Sequence, residues 1–224
     1  MSEIEDLTAD TLARLTPGQV IELLRRHGPG DPRLADLDID TVARAVDPKR
    51  LDDEELAELL TVIARLAADD AHSAHGARFD LGRMDPRNFA RIMSRASQRQ
   101  IDAVMARPEL RALVLDEVFR RMAVHFRADR AGDTRGVVHF RITGAATEDG
   151  FDRYQVVIED GRCDVGRGHG GDPRATVTLG PAEFLRLATG NASAPVLFMT
   201  GKLKVRGDLG FAAGFLSLFD VPRA

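Results

Sequence analysis

The sequence predicts an α+β protein: a five-stranded, mainly antiparallel sheet covered by helices on one face, preceded by an all-α helical module. Three observations carry this. Up to about residue 107 the apolar residues recur at helical spacing. From Val138 onward they alternate at period two. Near the end, Asp208 opens a segment, Leu209 to Phe219, that is apolar almost all round, with Ser217 its one polar side chain. Such a helix needs a cover of protein, lipid or ligand, and at the end of a chain it can also act as a movable lid.

The helical module, residues 1–107, starts with a clear signal. Thr16-Pro17-Gly18-Gln19 places a Thr cap, a Pro in the first turn and a Gln three after the cap. Val20, Leu23 and Leu24 follow as a stripe, ended by His27-Gly28-Pro29-Gly30. Asp38 or Asp40 opens a second helix, stopped by Asp47-Pro48. Asp52 or Asp53 opens a third through Leu56, Leu59, Leu60, Ile63 and Leu66. Residues 73–82 read as a linker, and Asp85-Pro86 starts another helix. Asp10-Thr11-Leu12-Ala13-Arg14 recurs as Asp40-Thr41-Val42-Ala43-Arg44, and more loosely as Arg87 to Arg91. Each is followed by a second stripe, at Val20–Leu24, Leu56–Leu60 and Ile101–Met105. Two readings stand: three degenerate helix pairs that offer a docking surface to a protein partner, or chance similarity among short Ala/Arg/Leu helices.

The second domain, residues 108–224, opens with an amphipathic helix over Leu110 to Arg127. Strands follow at Val138–Ile142, Tyr154–Ile158, Cys163–Val165, Val177–Leu179 and Leu203–Val205. Asp160-Gly161 is the tightest hairpin signal in the chain. The apolar face of this sheet requires cover from helices near 110–127, 181–190 and 208–219.

The stretch Phe198-Met199-Thr200-Gly201-Lys202-Leu203-Lys204-Val205-Arg206-Gly207-Asp208-Leu209 resembles the closing motif of the sterol carrier protein type two family of lipid-binding domains. Ala175–Leu179 and Pro181–Gly190 fit the same pattern. The resemblance covers the C-terminal half, and no family is identified for the first hundred residues. It implies the five-strand count and a non-enzymatic role in binding, transferring or presenting an apolar lipid. A fatty acyl chain, acyl-CoA, isoprenoid or sterol-like molecule is the class of ligand implied. The cavity would lie between sheet and C-terminal helices, walled by Phe184, Leu187, Val196, Phe198, Met199, Leu203, Phe211, Phe215, Leu218 and Phe219. Read from pattern alone, the same residues fill a solid core.

Other groups carry less chemistry. Lys202, Lys204 and Arg206 form a basic row on the wet side of the last strand. They suit either an anionic membrane or acyl-CoA contact, or protection of an edge strand. Arg83, Arg87, Arg91, Arg95 and Arg99 form a four-residue series, read as a solvated or internally paired stripe. Asp69, Asp70, His72 and His75 have metal-compatible spacing without a convincing ligand set, so no metal is expected. Gly166 to Gly171 precedes a strand rather than a helix and so reads as a connection, not a phosphate loop. No nucleophile motif appears, and no catalytic residue or cofactor is expected.

Composition fits a soluble globular protein, with 44% hydrophobic and 29% charged residues and a net charge of −4, which argues against nucleic acid as partner. Residues 1–72 carry a net −9 and residues 73–127 a net +5, an arrangement that invites docking of one on the other. Met1–Asp6 is acidic and reads as no secretory signal, Val221–Ala224 is no peroxisomal address, and no apolar run approaches the roughly 20 residues of a bilayer span. The single Cys163 forms no internal disulfide and reads as a core thiol. With 28 arginines against three lysines, the composition suggests a GC-rich bacterial source, and the expected compartment is the cytoplasm.

Overall fold

A computed structural model describes residues 9–28, 31–34, 37–70 and 78–220. The chain divides into two compact units between Arg111 and Ala112, a few residues past the boundary expected from sequence.

The first unit is helical. Its elements are α1 (Ala9–Arg14), α2 (Pro17–Arg26), α3 (Ile39–Ala45), α4 (Glu55–Asp70), α5 (Pro86–Arg95) and α6 (Gln98–Met105). α1 packs on α3 and α3 on α5, while α2 packs on α4 and α4 on α6. The starts are chemically explicit. Thr16 caps α2 with Gln19 closing the capping box, Asp38 caps α3 through the Thr41 amide, and Asp85 caps α5.

The predicted arginine stripe is not one helix. Arg83 ends a 3-10 turn, Arg87, Arg91 and Arg95 lie on α5, and Arg99 lies on α6. The break comes at Ala96-Ser97, where Ser97 and Gln100 form a second capping box that restarts the chain as α6. Several of these cations serve the acidic early helices. Arg91 donates to the Ala43 carbonyl, the Arg95 guanidinium lies 2.6 Å from Asp47, and Arg99 lies 3.9 Å from Asp53. Gln100 is buried and its amide donates to the Pro48 and Leu51 carbonyls at 2.8 and 2.9 Å. A buried amide without such partners is destabilising, so this contact fixes α6 against the segment before α4.

The unit boundary falls inside α7 (Pro108–Val124). After the short α8 (Ala128–Ala131) come β1 (Gly136–Thr143), β2 (Phe151–Glu159), β3 (Arg162–Arg167) and β4 (Ala175–Leu179). Then follow α9 (Pro181–Ala188), α10 (Ala194–Met199), β5 (Leu203–Gly207) and α11 (Leu209–Phe215). The sheet order is β3-β2-β1-β4-β5, with only the central β1–β4 pair parallel. Asp160 and Gly161 both take positive φ, 50° and 72°, the geometry of a two-residue hairpin that follows the sheet twist.

Register sets the faces. Val138 pairs with Val156 and Ala175, Phe140 with Tyr154 and Val177, and Ile142 with Leu179. These side chains form one buried face. Phe119 of α7 stacks on Tyr154 at 4.0 Å between ring centroids and on Phe184 of α9 at 4.7 Å, and meets Phe140 edge-on at 5.3 Å. Aromatic pairs in these arrangements add to simple burial. Phe215 of α11 lies 6.0 Å from Phe140. Helices from three parts of this unit therefore converge on one side of the sheet.

The last helix differs from its expected form. α11 ends at Phe215 and continues as a 3-10 turn over Leu216–Leu218. It is not buried all round either, since Leu209, Gly210, Ala213 and Gly214 are exposed. Gly210 and Gly214 weaken helix propensity on that side and leave no side chain to bury.

Candidate ligand-binding site

The alternation of β5 turns Leu203 and Val205 inward, in register with Leu179 and Val177 of β4. α10 and α11 pass over them without closing the space. The result is a partly open cavity of about 310 Å³ between sheet and helices. Phe140, Val177, Leu203 and Val205 form the sheet side. Leu187, Ala194, Pro195 and Phe198 line it from α9 and α10, and Leu209, Ala212, Ala213, Phe215 and Leu216 from α11 and the turn that follows. None of these side chains can donate or accept a hydrogen bond, so the cavity stabilises apolar groups and leaves polar ones unpartnered.

Of the ten residues singled out from sequence, Leu187, Phe198, Leu203 and Phe215 meet in this lining. Phe184 is buried in the aromatic cluster behind it. Val196 and Met199 point outward from α10 and are exposed. Phe211 and Leu218 line a separate, more polar cleft with Asp133, Arg135 and Arg174, for which Phe215 is the shared wall. Phe219 is buried against Phe126 and Phe215. Bulky walls stand out in the sequence, whereas Ala194, Ala212 and Ala213 do not. These small residues leave the space that larger ones would fill. The inward phase of Val177 and Val205, by contrast, follows from strand alternation.

The turn into α11 is fixed at both ends. The Phe211 amide donates to the Asp208 carboxylate at 2.8 Å, and Arg174 donates to its other oxygen at 2.9 Å. These bonds, the amide first, hold the Asp208 carboxyl below its usual range. The Arg174 guanidinium lies 4.2 Å from the centre of the Phe211 ring.

The Gly-rich connection lies between β3 and β4 and straps the outer face of the sheet. His169 stacks on His139 of β1 with ring centroids 3.9 Å apart, and its Nε2 lies 3.0 Å from the Phe140 carbonyl oxygen. The His139 Nε2 lies 3.1 Å from the Gly170 carbonyl oxygen, and the Gly170 amide donates to Gln155 at 2.6 Å. Burial lowers the His169 pKa, opposed by the bond to Phe140 and reinforced by charge at His139, Arg141 and Arg153. A base whose folded pKa is depressed contributes stability that is complete above its unfolded value, 6.5, and is lost as pH falls below it. The Gly168 and Gly170 amides should therefore lose hydrogen-exchange protection between neutral and mildly acidic pH, and His169→Gln should flatten that dependence. Equal protection at both pH values in the unmodified chain would contradict this.

The other chemically capable side chains lie outside the cavity lining. Burial pushes the half-buried Cys163 thiol up to about 12, with Asp164 adding to it. Burial, then the bond from its hydroxyl to Asp116 at 2.8 Å, raises the Tyr154 pKa. Lys204 and Arg206 are exposed on edge strand β5, and Lys202, exposed just before it, lies 3.5 Å from Glu183. Asp69 lies in the last turn of α4, whereas His72 and His75 fall outside the described residues, as do Met1–Asp6 and Val221–Ala224. Among the described residues no group of three or more His, Cys, Asp or Glu side chains could hold a metal ion, and no helix is long and apolar enough to cross a membrane.

Residues 116–220 match the SCP-2 sterol transfer family. SCP-2 domains bind apolar lipids, and the matched segment contains the cavity. A hydroxysteroid dehydrogenase-like protein 2 of Xenopus tropicalis is 26% identical over 99 residues, 44% of this chain, and the chain spans 23% of that protein's length. Among solved structures, apo sterol carrier protein 2 of Yarrowia lipolytica is 26% identical over 47% of this chain and 86% of its own, with a TM-score of 0.38. The stereoselective inverting sec-alkylsulfatase of a Pseudomonas species is 17% identical over 91% of this chain and 30% of its own, with a TM-score of 0.43. The match to the SCP-2 family lies within the second unit, which is called here the SCP-2-type unit, and it does not extend into the helical unit.

Proposed function

We propose that the SCP-2-type unit binds a single apolar tail reversibly and without catalysis, the polar head of the ligand remaining at the cavity mouth. A fatty acyl chain, an acyl-CoA or an isoprenoid fits that description. The observation that carries the reading is the lining of the 310 Å³ cavity, which contains no hydrogen-bonding side chain. A non-enzymatic role is supported by the absence of any acid, base or nucleophile among the lining side chains. At about 30 Å³ per water-sized group, the cavity holds on the order of ten methylenes.

Calorimetric titration with saturated fatty acids of increasing length tests this. Each methylene that enters contributes about 0.8 kcal/mol, so affinity should rise about fourfold per methylene and level off once roughly ten are enclosed. No binding at any length, or a rise that continues unchanged to much longer chains, would rule out this cavity as the tail site.

In the helical unit, the alternate packing of α1, α3 and α5, and of α2, α4 and α6, supports a reading as three stacked helix pairs.

A further inference from the structure

Five large apolar side chains are exposed among the described residues, and four of them lie between positions 196 and 209. Val196 is 52% exposed, Phe198 49%, Met199 80% and Leu209 55%. Phe198 and Leu209 also line the cavity, so they form its mouth. Val196 and Met199 lie three residues apart on α10 and so share one outward side. Apolar side chains scattered singly over a surface need no explanation, but a group around the mouth of an apolar cavity marks a contact site.

The charge left unpaired beside this rim has one sign. α10 packs on β5, whose outer face carries Lys204 and Arg206, with Lys202 just before the strand. Lys202 is held near Glu183, and Asp208 is engaged by Arg174. Lys204 and Arg206 form no ion pair among the described residues. Their cross-strand neighbours on β4 are the uncharged Thr178 and Thr176. Beyond Thr178 in the same row lies Arg141 of β1, whose buried Nε has no hydrogen-bond partner. α10 and the β5 cations both lie at the free edge of the sheet, and there an exposed apolar helix and unpaired cations together complement a surface that is apolar in depth and anionic at its face. A bilayer containing anionic phospholipid is such a surface.

We propose that α10 and the first turn of α11 dock into the interfacial layer of an anionic membrane. Val196, Phe198, Met199 and Leu209 enter the headgroup–acyl boundary, while Lys204 and Arg206 meet lipid phosphates. The cavity mouth then opens on the acyl region rather than on water, so a tail can pass between bilayer and cavity without crossing solvent. Docking stands apart from tail binding, because the outward residues Val196, Met199, Lys204 and Arg206 do not line the cavity.

The test is sedimentation of the full chain with vesicles of phosphatidylcholine alone and of phosphatidylcholine mixed with phosphatidylglycerol. The expected result is binding to the mixed vesicles that weakens with added salt, and little binding to phosphatidylcholine alone. The double variant Lys204→Gln/Arg206→Gln should weaken it on the order of thirtyfold, about fivefold per cation removed. Met199→Glu should weaken it without touching those cations. Fatty acid uptake from solution is measured on the same preparations. Uptake retained with no vesicle binding overturns docking and leaves the tail reading intact, whereas vesicle binding without uptake supports docking and sinks the tail reading. Equal binding to both vesicle types, vesicle binding indifferent to all three substitutions, or a concentration-dependent dimer that Met199→Glu dissolves in place of vesicle binding would each overturn the proposal. The last would assign the rim to a second copy of this chain.

Discussion

Replacing Gly207 by alanine is expected to destabilise the SCP-2-type unit by about 3 kcal/mol or more, the sum of backbone strain and a steric clash. Gly207 closes β5 with φ at +91°, a conformation that side chains disfavour. A Cβ there would also sit 2.5 Å from the Arg174 carbonyl oxygen and 3.3 Å from the Ala175 Cα. Neither atom belongs to a flexible side chain, so the strand pair itself must shift. That shift acts on the bond from the Asp208 amide to the same Arg174 carbonyl, 2.9 Å long, and hence on the start of α11. The matched control is Gly201→Ala. Gly201 has φ of +73° but nothing within 4 Å of an added Cβ, so strain alone operates and about 1 kcal/mol is expected. For a unit of this size the melting temperature should fall by roughly 10–20 °C in the first variant and several degrees in the second. Equal losses at the two glycines would show that strain alone, and not the approach of the two backbones, makes position 207 a glycine.

That turn also shows what could be read before any coordinates. The alternation of Val138, Phe140 and Ile142 and the Asp160-Gly161 pair are local signals, and each produces the expected strand and hairpin because neighbouring residues decide it. Asp208 as a cap is of the same kind. The end of α11 at Phe215 was less legible, since two glycines in an apolar run resemble a continuous helix until their missing side chains are noticed. The arginine series is internally paired in part, as expected, but the charge repeat runs across Ser97 to Gln100, whose capping box restarts the chain as a new helix. The cavity was legible in outline through Leu187, Phe198, Leu203 and Phe215, but not in its cause. Large apolar residues announce themselves equally in a solid core and in a hollow one. The difference lies in where small residues oppose them, and Ala194, Ala212 and Ala213 face the sheet only once α10 and α11 are placed over it.

Those alanines supply the experiment that separates the two readings of the same residues. Ala212→Phe should reduce fatty acid affinity roughly fifteenfold or more, because the ring occupies space otherwise open to at least two methylenes at about 0.8 kcal/mol each. The stability of the unliganded chain should hold or rise, since the new side chain removes apolar surface from water and fills existing space. In a solid core the same substitution has the opposite signature: overpacking forces side chains off their rotamers and costs about 1–3 kcal/mol. Thermal unfolding without ligand and titration with ligand therefore answer different questions on one variant. A lower melting temperature would mean that α11 already rests on the sheet, and the apolar pattern is then packing alone. An unchanged or higher melting temperature with lost binding would mean that the space is real, accessible and used. The distinction matters for α11 itself. A helix whose inward face carries Ala212 and Ala213 gives up contacts that larger residues would make, and an enclosed tail restores them. Ligand binding and the closure of this helix are then linked, and saturating ligand should protect the amides of α11 from exchange more than those of β1.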